Sequence, residues 1–347
     1  MNRILLFVGS LAMSVGIFLT SAVQAANTVT LMTHDSFNID KEIIAAFEKE
    51  NQVTVRLLKS GDAGAALVQA ILSKDNPLAD VLFGVDNTFY SRAIDAGIFL
   101  PYASPLLAEI PASLQLDKEN RLLPVDYGDV CLNYDKKWFK KHSLAPPKDL
   151  TDLIKPEYKG LTVVENPATS SPGMAFLLTT IGRFGEEGYL DFWRKLRENE
   201  VIVANGWEDA YYGHFTSASK GDRPIVVSYA SSPPAVVYYA EKPMSEAPTA
   251  ALVADNTAFR QIEFVGILKG TKEFELAKKL VDFMLSKSFQ EDIPLQMFVF
   301  PANRTAKLPD VFVKHAVVAE KPVTVSPAAI EANRDSWIEA WTNAVLR

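Results

Sequence analysis

The 347-residue sequence has a single cysteine, only four histidines and no excess of positive charge. One cysteine, Cys131, cannot form an internal disulfide, so stability has to come from a hydrophobic core. It lies in the strand-like run Val130 to Leu132 and reads as a small buried hydrophobe. His34, His142, His214 and His315 stand in no HExxH or HxH spacing. A GxSxG elbow, a P-loop and a dinucleotide fingerprint are also missing, so no catalytic residue, metal site or cofactor is assigned. A net charge of −7 makes nucleic acid and anionic membrane surfaces poor partners. Beyond the first twenty-five residues no apolar run is long enough to cross a bilayer.

Those first residues have a pattern of their own. Asn2-Arg3 forms a basic start, Ile4 through Leu19 an apolar stretch diluted by Gly9, Ser10, Ser14 and Gly16, and Val23-Gln24-Ala25 offers the small residues that a signal peptidase needs. Residues 1–25 are expected to be an export signal, not a retained anchor, and no lipobox cysteine is present. The segment holds Arg3 and no acid, so its removal takes the charge from −7 to −8. The rest of the chain, with 48% hydrophobic residues, can bury a large core and is long enough for two domains.

Strand and helix patterns alternate along it. Thr28–Met32, Val53–Leu58 and Ala79–Gly84 read as strands; Lys41–Glu50, Gly61–Ser73 and a segment from Asn87 read as helices. Such βα units predict an α/β fold with ligand contacts at the carboxyl ends of its strands. After the irregular region Pro101–Glu119, a long strand at Asp129–Tyr134 leads towards a second lobe. There the pattern gives strand Leu161–Glu165, helices Met174–Arg183 and Tyr189–Glu198, and strand Val201–Ala204. Ala251–Asp255 and Glu263–Leu268 read as strands returning to the first lobe, and Ser326-Pro327 opens a terminal amphipathic helix expected to pack on the body. The expected division is residues 26–124 with 252–310 as lobe I, 125–251 as lobe II, and 311–347 as a C-terminal helical segment.

The most informative stretch is Val226 to Ala240. A buried-type strand stops at Ser231-Ser232-Pro233-Pro234 and restarts as a helix, so Tyr229, Ala230, Ser231, Ser232 and Pro233 would form a helix start able to receive an anion. An ordinary capped helix with a packed tyrosine fits the same pattern. Ser170-Ser171-Pro172-Gly173 repeats the logic. Trp207, after a strand and Gly206, either exposes its ring or packs in the core; Asp62 is either a ligand contact or only a helix cap. Together these residues suggest a cleft for a cationic heteroaromatic carrying a hydroxyl or phosphate tail. The tandem pairs Tyr211-Tyr212 and Tyr238-Tyr239 leave open a ferric-ion receptor with phenolate ligands, although adjacent helical residues diverge by about 100°.

Several of these segments, with Thr33-His-Asp-Ser-Phe37, Ala79-Asp-Val-Leu-Phe-Gly-Val-Asp-Asn87, Val125-Asp-Tyr-Gly128, Asn133-Tyr-Asp-Lys136 and Trp337-Ile-Glu-Ala-Trp341, resemble the periplasmic thiamine-binding proteins of ABC importers over the whole mature chain. The resemblance implies a type II periplasmic binding fold: two α/β lobes closing on a cleft. It also implies a non-catalytic, monomeric receptor for thiamine, its monophosphate or its diphosphate, or for another small cationic or phosphorylated solute, serving an inner-membrane ABC permease and its ATPase. It places Asp62 and Ala63 at a helix start, Trp207 against the ligand ring, and Ser170, Ser171 and the Tyr229–Pro233 segment at the tail. His34, Ala235 and Phe298 stand where the family has tyrosine, tyrosine and tryptophan. Hinges are expected near Val125–Asp129 and Ala251–Asp255.

Overall fold

The computed structural model describes residues 27–347; the export segment expected over residues 1–25 lies outside them. Eleven strands form one sheet among the described residues. They are β1 (Asn27–Thr33), β2 (Val53–Lys59), β3 (Val81–Asp86), β4 (Phe99–Leu100), β5 (Leu123–Asp135), β6 (Thr162–Glu165), β7 (Ile202–Ala204), β8 (Ile225–Tyr229), β9 (Thr249–Leu252), β10 (Phe259–Leu268) and β11 (Phe300–Pro301). The helices are α1 (Lys41–Asn51), α2 (Ala63–Leu72), α3 (Tyr90–Asp95), α4 (Lys136–Lys141), α5 (Ser171–Glu198), α6 (Pro233–Tyr238), α7 (Phe274–Leu285), α8 (Lys287–Gln296), α9 (Asp310–His315) and α10 (Pro327–Val345).

The principal strand order is β2-β1-β3-β10-β5-β8-β6-β7. β1, β2 and β3 run parallel, as do β8, β6 and β7, while β10 and β5 are antiparallel insertions between the two sets. β3, β6 and β8 are buried along nearly their whole length, as parallel strands inside a sheet are, whereas the edge strand β2 is largely exposed. β5 is the junction. Its first part, Leu123–Val130, pairs with β10, and its second part, Val130–Asp135, pairs with β8 and β9. One 13-residue strand thus belongs to both halves, and the chain passes between them in the middle of regular structure. The Arg260 guanidinium pins this crossing by donating twice to Asp129, at 2.8 and 2.9 Å, and the same carboxylate accepts the Ala319 N–H at 2.7 Å.

Local signals explain most boundaries. Asp40 caps α1 by accepting the Glu42 N–H at 2.8 Å, and Ser326 caps α10 with Pro327 in its first turn. The two helices expected between 174 and 198 form one element that starts at Ser171; Gly185, at φ 74° and ψ 170°, breaks its helical geometry where the sequence pattern lapses. α10 lies on α5, its Trp341 edge-on to Trp193 at 5.5 Å. Arg334 is also buried on that side, its guanidinium 4.3 Å from the centre of the Phe89 ring. Cys131 is fully buried.

Candidate functional site

At the seam between the two halves lies a cavity of about 340 Å³, a volume in the usual range for small-molecule sites. Lobe I contributes the end of β1, the start of α2 and the turn after α8; lobe II contributes the start of α5, the segment after β7 and the end of β8.

Lobe I offers charge. His34 follows β1 and is buried, because Gly84 in β3 leaves room for its ring: a Cβ on that residue would meet His34 Cδ2 at 2.4 Å. With φ at 103°, the position suits glycine twice over. His34 Nε2 stands 3.5 Å from Glu263 of β10. Burial opposes protonation of His34, but the neighbouring carboxylate outweighs it and raises the imidazole above its ordinary value. Behind Glu263, Asp86 and Asp126 are wholly buried, and Asp86 Oδ2 and both Asp126 oxygens lack hydrogen-bond partners. Burial pushes the Asp86 carboxyl up to about 6; burial and Glu263 push Asp126 well above the carboxylate range.

Lobe II offers rings. Trp207 begins a short helical turn after Gly206, a residue whose Cβ would approach Asp62 Oδ2 to 2.6 Å. The indole is fixed from three sides: its backbone N–H donates to Asp62 Oδ2 at 2.9 Å, its Nε1 donates to Ser228 Oγ at 2.9 Å, and Tyr211 stacks on it at 4.8 Å and 21°. Tyr211 reaches that position on the π-helix Asp209–His214, which also brings the exposed Tyr212 edge-on to the indole at 5.5 Å. Tyr229, at the end of β8, leans over Gly128 of β5, where a Cβ would come within 2.9 Å of its ring, and its hydroxyl accepts from Gln261 at 3.1 Å.

Of the twelve residues picked out from sequence, eight line this cavity: His34, Asp62, Ala63, Ser171, Trp207, Tyr229, Ser232 and Phe298. Four do not. Ser170 is buried behind them as the cap of α5, its hydroxyl accepting the Gly173 N–H at 3.5 Å. Ala230 is fully buried, its N–H donating to the Asp129 carbonyl and its own carbonyl accepting the Val317 N–H. Ser231 is sealed with its hydroxyl unpartnered, and Pro233 is buried in the first turn of α6. The chain turns inward immediately after Tyr229, so the hydroxyl run that looked like an exposed helix start is mostly interior. Ser232 does not cap α6; its hydroxyl sits 2.8 Å from Ser228 Oγ and accepts the Tyr229 N–H at 3.2 Å.

Other lining residues escaped the sequence reading: Asp35, Lys59, Glu208, Glu263, Met297 and Val299 among them. Glu263 lies in a run that reads simply as strand, and only the pairing of β10 with β3 and β5 aims it at His34. The tandem tyrosines split. Tyr239 lines the mouth, edge-on to Phe298 at 5.7 Å, but Tyr238 does not line the cavity. Tyr211 lies flat under Trp207, where burial pushes its phenol up, away from the phenolate a ferric site requires.

Residues 76–318 match the family described as bacterial extracellular solute-binding protein. The chain is 30% identical over 335 residues to a thiamine-binding periplasmic protein of Brucella suis biovar 1, covering 95% of each. It is 31% identical over 337 residues to the protein of that name from Escherichia coli K12, covering 94% of this chain and 96% of the relative. A solved periplasmic thiamin binding protein superposes with a TM-score of 0.82 at 28% identity, covering 93% of this chain and 97% of that one.

Proposed function

The chain belongs to the bacterial extracellular solute-binding proteins, and from that premise we propose that it is the periplasmic receptor for thiamine that supplies an ABC importer. The observation that carries the reading is the pairing of a fixed indole with buried carboxylates across one seam. Thiamine has a permanently charged thiazolium ring, an aminopyrimidine with hydrogen-bond donors and a hydroxyethyl tail. Trp207 offers a flat surface to a cationic ring, and Asp62 and Glu263 offer acceptors and opposite charge to the rest. Stacking and cation–π contacts are each worth about 0.5–2 kcal/mol, so several aromatic walls are needed for micromolar binding, which takes about 8 kcal/mol. Tyr212, Tyr229, Tyr239 and Phe298 complete such walls.

The lobes in this reading are residues 26–124 with 252–310, and 125–251, and they rotate about β5 and the chain returning from β9 to β10. Two crossings at Val125–Asp129 and Ala251–Asp255 leave closure as the soft motion. The receptor acts as a monomer, without catalysis, after export and removal of residues 1–25, and its partners are a membrane permease and the attached ATPase. Titration calorimetry with thiamine, alongside quenching of tryptophan emission, tests the proposal. The expected result is saturable one-to-one binding that quenches the wild type and is lost in Trp207→Ala; undiminished binding in Trp207→Ala would overturn the assigned pose.

A further inference from the structure

We infer that the face formed by α4 and α9 docks on an anionic membrane surface, against lipid headgroups; this builds on the periplasmic-receptor reading and adds the side of the receptor that meets the membrane. A net charge of −7 opposes such contact only if the cations are evenly spread. They are not. Lys136, Lys137, Lys140 and Lys141 all lie on α4, and at about 100° per residue these positions fall within an arc of about 140°. Asp135 fixes the helix by accepting the Lys137 and Trp138 N–H groups at 2.9 and 3.1 Å, while its other oxygen accepts the Thr216 hydroxyl at 2.8 Å. Phe139 is buried on the opposite side, so the lysine arc faces water, with Lys137, Lys140 and Lys141 exposed.

α9 extends the patch. Burial, with Lys314 and Lys136 beside it, holds the His315 imidazole below its ordinary value, against the opposite pull of Glu246, so the two helices bring their lysines to one place. Among the described residues none of these five lysines is ion-paired, whereas Lys155, Lys159 and Lys195 each hold a carboxylate, at 2.6, 3.2 and 2.7 Å. Apolar side chains stand out beside the charge: Val313, Val317 and Val318, flanking Lys314, are 67%, 40% and 46% exposed. Lysines around exposed apolar residues suit an anionic headgroup layer, where the charges stay hydrated and the apolar groups dip in. Protein interfaces favour arginine and aromatic anchors and are poor in lysine, so this composition favours lipid over an acidic protein. The patch is also remote from the cavity: β5 carries the chain about 23 Å from Gly128, under Tyr229, to Asp135 at the start of α4.

The test is co-sedimentation of the mature protein with vesicles of phosphatidylcholine alone or mixed equally with phosphatidylglycerol. The wild type is expected to bind the mixed vesicles only, and to lose at least about tenfold in partitioning when salt rises from ~0.05 to ~0.5 M. Each lysine near such a surface is worth about fivefold, so Lys137→Gln/Lys140→Gln/Lys141→Gln should lose about a hundredfold, and the three arginine replacements should restore binding. Lys41→Gln/Lys49→Gln/Lys74→Gln makes the same change in net charge at exposed positions outside the patch and should stay close to the wild type. No binding of the wild type to mixed vesicles at low salt, equal binding to both kinds, or an equal loss in the two triple variants would overturn the inference. Cross-linking of the α4 lysines to a protein, with the vesicles ignored, would assign the patch to an acidic protein partner and overturn it too. Thiamine titration of the same samples keeps the readings apart: intact thiamine affinity without vesicle binding removes only this inference, and vesicle binding without thiamine affinity removes only the thiamine reading.

Discussion

The Asp62 carboxylate accepts the backbone N–H of Trp207 at 2.9 Å, joining residues 145 apart in sequence and on opposite sides of the seam. The same side chain accepts the Ala63 N–H at the start of α2. One carboxylate therefore caps a helix of lobe I and holds the main aromatic surface of lobe II. Burial raises Asp62, and the Trp207 and Ala63 N–H groups partly reverse that.

Asp62→Ala removes both bonds at once. Thiamine affinity should fall about 10- to 100-fold, or about 1.4–2.8 kcal/mol, and loss of the cap should cost a further 0.5–2 kcal/mol of stability. Calorimetry and denaturant unfolding separate the two effects. Asp62→Asn keeps an acceptor oxygen, so it should retain most of the stability. Equal affinity in Asp62→Ala and the wild type would show that the cross-seam bond does not support the bound state.

Gly84→Ala should displace His34. The new methyl would lie 2.4 Å from the imidazole, at a φ of 103° that disfavours any Cβ. We expect a loss of about 1–3 kcal/mol in unfolding free energy together with weaker ligand binding, because the ring is forced towards the cavity. Wild-type melting behaviour in this variant would contradict the assigned packing.

Asp86→Asn should stabilise the protein in a pH-dependent way. The folded carboxyl titrates near 6, above its ordinary value, because burial opposes its charge. Between about pH 4 and 6 the folded state binds the extra proton, so stability falls as pH rises through that window. The asparagine variant removes this penalty and can still accept the Thr88 N–H that Asp86 takes at 2.6 Å. Its advantage should reach up to about 3 kcal/mol at pH 8 and vanish near pH 4. Urea unfolding at the two pH values checks it; a gain equal at both would refute the assignment.

Trp341→Ala should be the most destabilising of these changes while leaving the cavity intact. The ring is fully buried and packs edge-on against Trp193, whose Nε1 is itself held by Thr180 at 2.9 Å. A loss of about 3–5 kcal/mol is expected, with thiamine affinity unchanged in the folded fraction. A change in affinity as large as that in stability would mean that α10 is coupled to the cleft.

Much of this molecule could be read along the chain. The strand and helix patterns of Thr28–Met32, Lys41–Glu50 and Glu263–Leu268 depend on residues a few positions apart, and so do the caps at Asp40 and Ser326, so sequence alone determined them. The residues Asp62, Trp207 and Tyr229 were also visible, as side chains left at the ends of elements. What sequence could not determine was direction and company. Whether Ser231 faced a cleft or the interior depended on the turn after β8, and α6 proved too short, and Ser232 too engaged, to present an anion site. Glu263, Asp86 and Asp126 come from three strands whose adjacency is set only by sheet order, so no local pattern reveals their shared burial. Periodicity encodes what each element buries; the long-range pairing of β5 with β10 and β8 alone decided which charges and rings share one cavity.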